Sequence, residues 1–288
     1  MKKLFLILTT GLLLLAGACA PKVEHTYYSL FLRSDSLQLA QLWQPEGEKL
    51  PIAHHGPAVE NEFMALRVYF DQRAAIDVYS KSGHIDNELG RWHWYPTPEQ
   101  QTWEGAGADE YFVGPTVGLG GIQLWDGEKA IPLETTAGRR SLVGRTEAGA
   151  FLEMISYGVP CGADTLDVSL RIDVFDKSRW AQVTARELNG KPFRILTGVN
   201  YHPGSQMLRA DGLAAVWGEH PANISDTPGP IGGAIRFNPA DFPEVEDTGI
   251  AIRLISVPMT EFSTRIVSAS AKEIPLCTAE KFFAFVEK

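Results

Sequence analysis

The stretch His55-Gly56-Pro57-Ala58-Val59-Glu60-Asn61 places a histidine, a carboxylate and a carboxamide in one turn-prone segment. Such groups move protons and orient hydroxyl-bearing ligands. It runs on into two alternating segments, Leu66 to Asp71 and Ile76 to Lys81. Successive side chains of a strand point to opposite faces. Arg67, Tyr69 and Asp71 therefore share a face opposite Leu66, Val68 and Phe70, and Asp77, Tyr79 and Lys81 share one opposite Ile76 and Val78. A face that only needs to be wet is usually built from Lys, Glu, Ser and Thr. Arg, Tyr, Asp and Lys together make a polar binding surface.

Each candidate also has a plainer reading. Glu60 and Asn61 either orient a ligand or cap 63–69 as a short helix, a common role for Asn. Arg67 and Arg73 suit bidentate capture of a substrate carboxylate, or they pair with Asp71 and Asp77 across the sheet face. The expectation is that one of the two arginines is spent in this way. His54 and His55 are adjacent, so an extended segment lets only one face the site. Asn200-Tyr201-His202-Pro203 ends a strand with Asn200 and His202 on one face, where His202 could serve as an acid or base, and Trp217-Gly218-Glu219-His220 echoes it weakly.

No cofactor is predicted. The chain lacks H-E-x-x-H, EF-hand and Cys/His ligand spacings, although a divalent metal held by scattered carboxylates stays open. Val113 to Gly121, rich in glycine, has neither the ending of a phosphate loop nor dinucleotide spacing; it suits a tight turn or a close backbone approach. No G-x-S-x-G elbow occurs, which disfavours an α/β-hydrolase.

The elements that must position these residues are strands. Alternation marks 27–32, 66–70, 75–79, 121–125, 151–157, 166–174, 180–187, 193–201, 250–257 and 265–269. Asn189-Gly190 reads as a hairpin turn between two of them, and Asp126-Gly127 ends another. One helix is predicted, 278–286, with Thr278 as its N-cap. Long loops are expected at 84–111, which holds Trp92, His93, Trp94, Tyr95 and Trp103, and at 202–233. The pattern predicts an all-β, antiparallel sandwich or barrel with a short C-terminal helix, in a single domain.

Residues 1–19 read as an export signal: Lys2 and Lys3, an apolar run from Leu4 to Leu15, then Ala16-Gly17-Ala18-Cys19. The run is shorter than the roughly 20 residues a membrane helix needs. A cysteine after small residues is similar to a lipoprotein lipobox, with Cys19 as the lipidated first residue; cleavage after an A-x-A triplet is the alternative. The expected location is the periplasm or outer membrane, with membrane contact only through the lipid anchor, and 20–288 as the mature domain. Cys161 and Cys277 then remain, as a bridge or as two inert thiols. A net charge of −9 argues against a nucleic-acid partner, which demands clustered cations.

The motifs H-G-P-x-x-E-N-E at 55–62, R-V-Y-F-D-x-R-x-A-I-D-V-Y-x-K at 67–81 and V-G-P-T-V-G-L-G-G-I-Q-L-W at 113–125 resemble a secreted bacterial family, domain of unknown function 4861. The resemblance covers most of the mature chain. It implies a galactose-mutarotase-like supersandwich and a setting in polysaccharide degradation, since at least one relative is an oligosaccharide dehydratase that leaves an unsaturated uronic acid. Many relatives carry W-G-M-D and then Lys before the glycines. Here Gly107-Ala108-Asp109-Glu110-Tyr111-Phe112-Val113 keeps the acid, Asp109, and lacks the lysine.

The resulting expectation is a carbohydrate-active dehydratase or lyase acting by proton abstraction on anionic, uronic-acid-containing oligosaccharides or polysaccharides. The alternatives are a non-catalytic sugar-binding lipoprotein and an epimerase or glycoside hydrolase on the same fold. Expected substrate-binding residues are Glu60, Asn61, Arg67, Asp77, Lys81 and Asp109, with Arg67, aided by Asn61 or Lys81, on the carboxylate. Tyr79 is the expected base, and His55 or His202 the acid for the leaving hydroxyl.

Overall fold

The computed structural model describes residues 25–33, 37–81, 99, 107–221 and 229–288. Three antiparallel sheets make up almost all of its regular structure. A four-stranded sheet has the order β1 (Tyr27–Ser29), β3 (Ala58–Glu60), β4 (Ala65–Val68), β5 (Ile76–Tyr79). The nine-stranded sheet runs β13 (Gln206–Ala210), β14 (Leu213–Gly218), β15 (Ile231–Arg236), β18 (Glu261–Ser270), β11 (Ala181–Glu187), β10 (Asp164–Phe175), β9 (Gly149–Cys161), β8 (Gly138–Arg145), β2 (Gln41–Pro45). The third sheet runs β16 (Glu244–Asp247), β17 (Ala251–Ile255), β12 (Ile195–Asn200), β6 (Gln123–Trp125), β7 (Ala130–Ile131).

The two smaller sheets share one side of the large one. β1 and β3 pack on β8 to β10, while β12 packs on β14 and β15. One core joins all three, with Leu66, Val68 and Ile76 meeting Leu152, Met154, Leu170 and Ile172. Burying each such side chain contributes about 1.5–3 kcal/mol. α1 (Ala279–Val286) packs along β14 and β15, with Phe282 against Trp217 and the Thr278 hydroxyl accepting from Lys281 N–H.

The all-β antiparallel class and the C-terminal helix agree with the sequence, while three local readings differ and one strand goes unread. Asn189-Gly190 turns the chain, but β11 and β12 lie in different sheets and form no hairpin. The stretch 202–233 is not one loop, because β13 and β14 form a hairpin across Asp211-Gly212. Gly138–Arg145, without regular alternation, is a strand paired on both sides. No helix spans 63–69; β4 occupies it, with Asn61 tying down the turn before it. Cys161 and Cys277 are both free thiols. Trp92, His93, Trp94, Tyr95 and Trp103 lie outside the described residues, as do 1–24 with Cys19.

Candidate functional site

The turn entering β3 is conformationally strained. His54 and His55 both have left-handed backbones, with φ of 53° and 60°. Ala74, at the end of the β4–β5 turn, has φ 46°. Such conformations cost of order 1–3 kcal/mol each in a non-glycine residue and persist only where surrounding structure imposes them. Here Gly56 lies directly on β4, where a Cβ would sit 1.8 Å from the Val68 carbonyl oxygen. Val68 N–H donates to Pro57 and Phe70 N–H to His55. His54 is buried and His55 is exposed, so one of the two adjacent histidines reaches solvent.

His55 opens on a cleft of about 590 Å³. Arg33, Lys49, Arg73 and Arg139 line it beside Glu46, Glu48 and Asp71, an excess of one positive charge. The Tyr69 ring lies 6.0 Å from the His55 ring, with the Arg73 guanidinium 4.0 Å and that of Arg67 5.4 Å from its centre. Tyr69 donates its hydroxyl to Asp77 Oδ2 at 2.8 Å. The same oxygen takes Arg67 Nε at 3.1 Å and Nη2 at 2.7 Å, and Nη2 also reaches Asp109 Oδ2 at 2.8 Å. Register explains the grouping: Ala58, Arg67 and Asp77 stand side by side on β3, β4 and β5.

These neighbours set the proton affinities. Partial burial, then the charges of Arg67, Arg33 and Arg73, push the His55 pKa below the ordinary 6.5. It is therefore a neutral imidazole, able to accept a proton, at neutral pH. Burial and the Asp77 charge raise Tyr69 well above the usual phenol range, so it keeps its proton.

Further along the same face, Glu60, Ala65 and Tyr79 stand in register. Lys81 Nζ lies 3.3 Å from Glu60 Oε2 and donates to the Asn61 carbonyl at 2.8 Å, with both charged side chains buried. Tyr79, also buried, donates to the Gly107 carbonyl at 2.8 Å. The Asn61 side chain accepts from Phe63 and Met64 N–H and donates to the Phe175 and Ser178 carbonyls. That fills the two lone pairs and two protons of a carboxamide. Arg67 and Arg73 both carry carboxylate partners, where the sequence predicts one; Arg73 pairs with Asp71.

His202 belongs to another group. Its Nε2 lies 3.0 Å from the Phe112 carbonyl, which also accepts from Asn200 Nδ2. Phe112 N–H donates to His220 Nδ1 at 3.0 Å, and the two imidazoles are 4.5 Å apart. Burial, with His202 adding to it, pushes His220 down to about 3. The Tyr111 ring lies 4.4 Å from that of His220, tilted by 33°, and burial, then the Asp77 charge, raise its pKa.

The structure thus gathers His55, Arg67, Asp77 and Asp109. It sets Glu60, Asn61, Tyr79 and Lys81 further along the sheet, and it holds His202 beside His220. Sequence reasoning left Tyr69, Arg33 and Tyr111 without roles. Tyr69 was within reach, because it alternates in phase with Arg67. Among the described residues no three His, Cys, Asp or Glu side chains converge as a metal-binding group. Asp77 and Asp109 share the Arg67 guanidinium. Among the same residues no helix is long and apolar enough to cross a membrane.

Comparison with curated proteins gives no match. Among solved structures, a 4-alpha-glucanotransferase from Thermococcus litoralis aligns at 9% identity and TM-score 0.36, over 81% of this chain and 42% of the other. The heparan sulfate lyase HepC from Pedobacter heparinus, as a mutant, aligns at 10% and 0.37, over 84% and 36%. A candidate aldose 1-epimerase from Klebsiella pneumoniae aligns at 8% and 0.38, over 85% and 91%. The chain spans less than half of the first two proteins, and likenesses this remote carry no argument about chemistry. Sequence matching is decisive at another level: residues 23–288 match the domain of unknown function DUF4861, and the chain belongs to that family.

Proposed function

We propose that this protein is a carbohydrate-active enzyme that eliminates water from uronic-acid-containing oligosaccharides at the His55 cleft. The carrying observation is a neutral, exposed imidazole on a strained turn beside Arg33, Arg67 and Arg73. Removing the proton at C5 of a uronate is slow because charge develops next to a carboxylate, so the site must offset that charge and place a base beside the proton.

In this reading His55 takes the C5 proton, the C–H electrons form the C4–C5 double bond, and the C4–O bond breaks. The imidazolium returns its proton to the departing hydroxyl, which leaves as water. The burial and the arginines that keep His55 neutral also make its imidazolium readier to give up a proton, so one residue serves both steps and the two groups leave from the same side. Arg73, whose pair with Asp71 is partly exposed, suits the substrate carboxylate together with Arg33. The charge of Arg67 is matched by Asp77 and Asp109, so Arg67 supports His55 rather than the carboxylate. In this reading Tyr79, which donates to the Gly107 carbonyl, packs and takes no proton from the substrate.

The proposal includes export of the chain with lipid at Cys19 and 20–288 as its single domain, a reading that rests on the leader sequence. Radiolabelled palmitate should mark the wild-type protein and not Cys19→Ala. The reaction is tested by mixing protein with alginate, polygalacturonate and glucuronoxylan oligosaccharides and following the ultraviolet band of unsaturated uronates. A rise that depends on protein supports elimination. Binding with no product across the panel supports the sugar-binding alternative instead.

A further inference from the structure

The outer face of the large sheet carries a second cleft, of about 990 Å³, at the β2 edge. Trp43 lies in it with 47% of its surface exposed, and its ring is 5.7 Å from that of Tyr157, tilted by 58°. An exposed indole is unusual on a sheet that buries most of its other large side chains. Its position is built. Gly138 has φ 134°, and a Cβ there would meet the Gln44 carbonyl at 2.4 Å and the indole at 3.0 Å, so glycine lets the ring lie over β8.

The rim is polar and its groups are fixed. Arg140, directly across from Trp43, donates to the Gln41 side chain and has no carboxylate partner among the described residues. Asp167 is pinned by Gly158 N–H at 2.8 Å and Asn189 Nδ2 at 3.1 Å. An aromatic plane flanked by a guanidinium, a carboxamide and a carboxylate matches a pyranose, which has an apolar face and a hydroxyl edge. Arg140 and Asp167 balance in charge across the cleft, so the Arg140 guanidinium can take a sugar carboxylate while Asp167 accepts from hydroxyls. Neighbouring residues of β8 separate the clefts: Arg139 lines the His55 cleft and Arg140 this one, and successive residues face opposite sides.

We propose that the Trp43–Tyr157 cleft is an accessory binding site for uronate-bearing polysaccharide, holding the polymer apart from the His55 cleft. It rests on the sugar reading above, and the two are separable by experiment. Native electrophoresis through alginate, polygalacturonate or glucuronoxylan reads the accessory site, and turnover of short oligosaccharides from the same polymers reads His55. The wild type should be retarded by at least one polymer. Trp43→Ala should weaken that retardation about tenfold (1.4 kcal/mol) or more, with melting temperature and short-substrate turnover unchanged. Arg140→Gln should weaken it less, and His55→Ala should keep it while losing turnover. The proposal is overturned if no polymer retards the wild type, or if both Trp43→Ala and Arg140→Gln migrate as wild type. It is also overturned if Trp43→Ala converts a dimer into a monomer in light scattering, since the groove is then an interface between copies. Absence of short-substrate turnover in a wild type that is still retarded counts against the His55 reading alone.

Discussion

His55 and the His202–His220 pair read alike in the sequence, as histidines at strand ends beside Gly or Pro, yet the fold treats them oppositely. His55 sits on a strained turn at an open, cation-rich cleft. His220 is buried with Nδ1 accepting from the Phe112 N–H, and His202 meets the carbonyl of the same residue. The lesson is about commitment: an imidazole whose nitrogen holds the backbone together has less freedom to move substrate protons. The Glu60–Lys81 pair is closed in the same way. Closed polar groups should therefore answer perturbation in stability, and the open one in turnover.

The largest effect belongs to His220. Its folded pKa near 3 lies below the unfolded value near 6.5, so the unfolded chain protonates first. Its contribution is complete above pH 6.5 and is lost as pH falls towards 3. The shift corresponds to roughly 4–5 kcal/mol over that window. Urea midpoints across these pH values should fall more steeply for wild type than for His220→Gln, and equal slopes would show that burial does not hold it neutral. Next is the buried ion pair. Lys81→Met or Glu60→Leu alone breaks a buried ion pair and should cost about 3–5 kcal/mol, with the double substitution recovering much of it. Two singles within 1 kcal/mol of wild type would mark that region as open instead.

Smaller effects sharpen the other side. His55→Gly relieves a left-handed backbone at an exposed position, so denaturant midpoints should show a gain of about 1 kcal/mol while turnover is lost. A loss of stability would mean that His55 is a structural residue. Trp43→Ala, on an exposed platform, should change stability by no more than about 0.5 kcal/mol.

Legibility followed the strength of local pattern. β10 and the Thr278-capped α1 were plain because alternation and capping are encoded within a few residues. The face carrying Arg67, Asp77, Tyr79 and Lys81 was plain for the same reason. β8 was hidden, since its Gly-Arg-Arg-Ser start serves two clefts rather than one core. Asn189-Gly190 misled because turn chemistry states that the chain reverses and not which sheet it enters next. At the site, what the sequence could not supply was distance between chain segments. Asp109 reaches Arg67 from 42 residues away, and that contact turns a candidate carboxylate clamp into a neutralised support. The strain at His54 and His55 was equally hidden, because it comes from Gly56 lying on β4.

The central claim is that His55 is the base, and the most direct measurement is turnover of uronate oligosaccharides by His55→Ala beside wild type, Tyr79→Phe and His202→Ala, across pH. One general acid–base residue contributes typically 10²–10⁴-fold. His55→Ala should lose about that much at unchanged melting temperature, while the other two stay within about tenfold of wild type. The acid limb of the wild-type profile should lie below pH 6.5, because burial, then the charges of Arg67, Arg33 and Arg73, keep His55 neutral to lower pH. His55→Ala with wild-type turnover, or an acid limb above pH 6.5, would contradict the account.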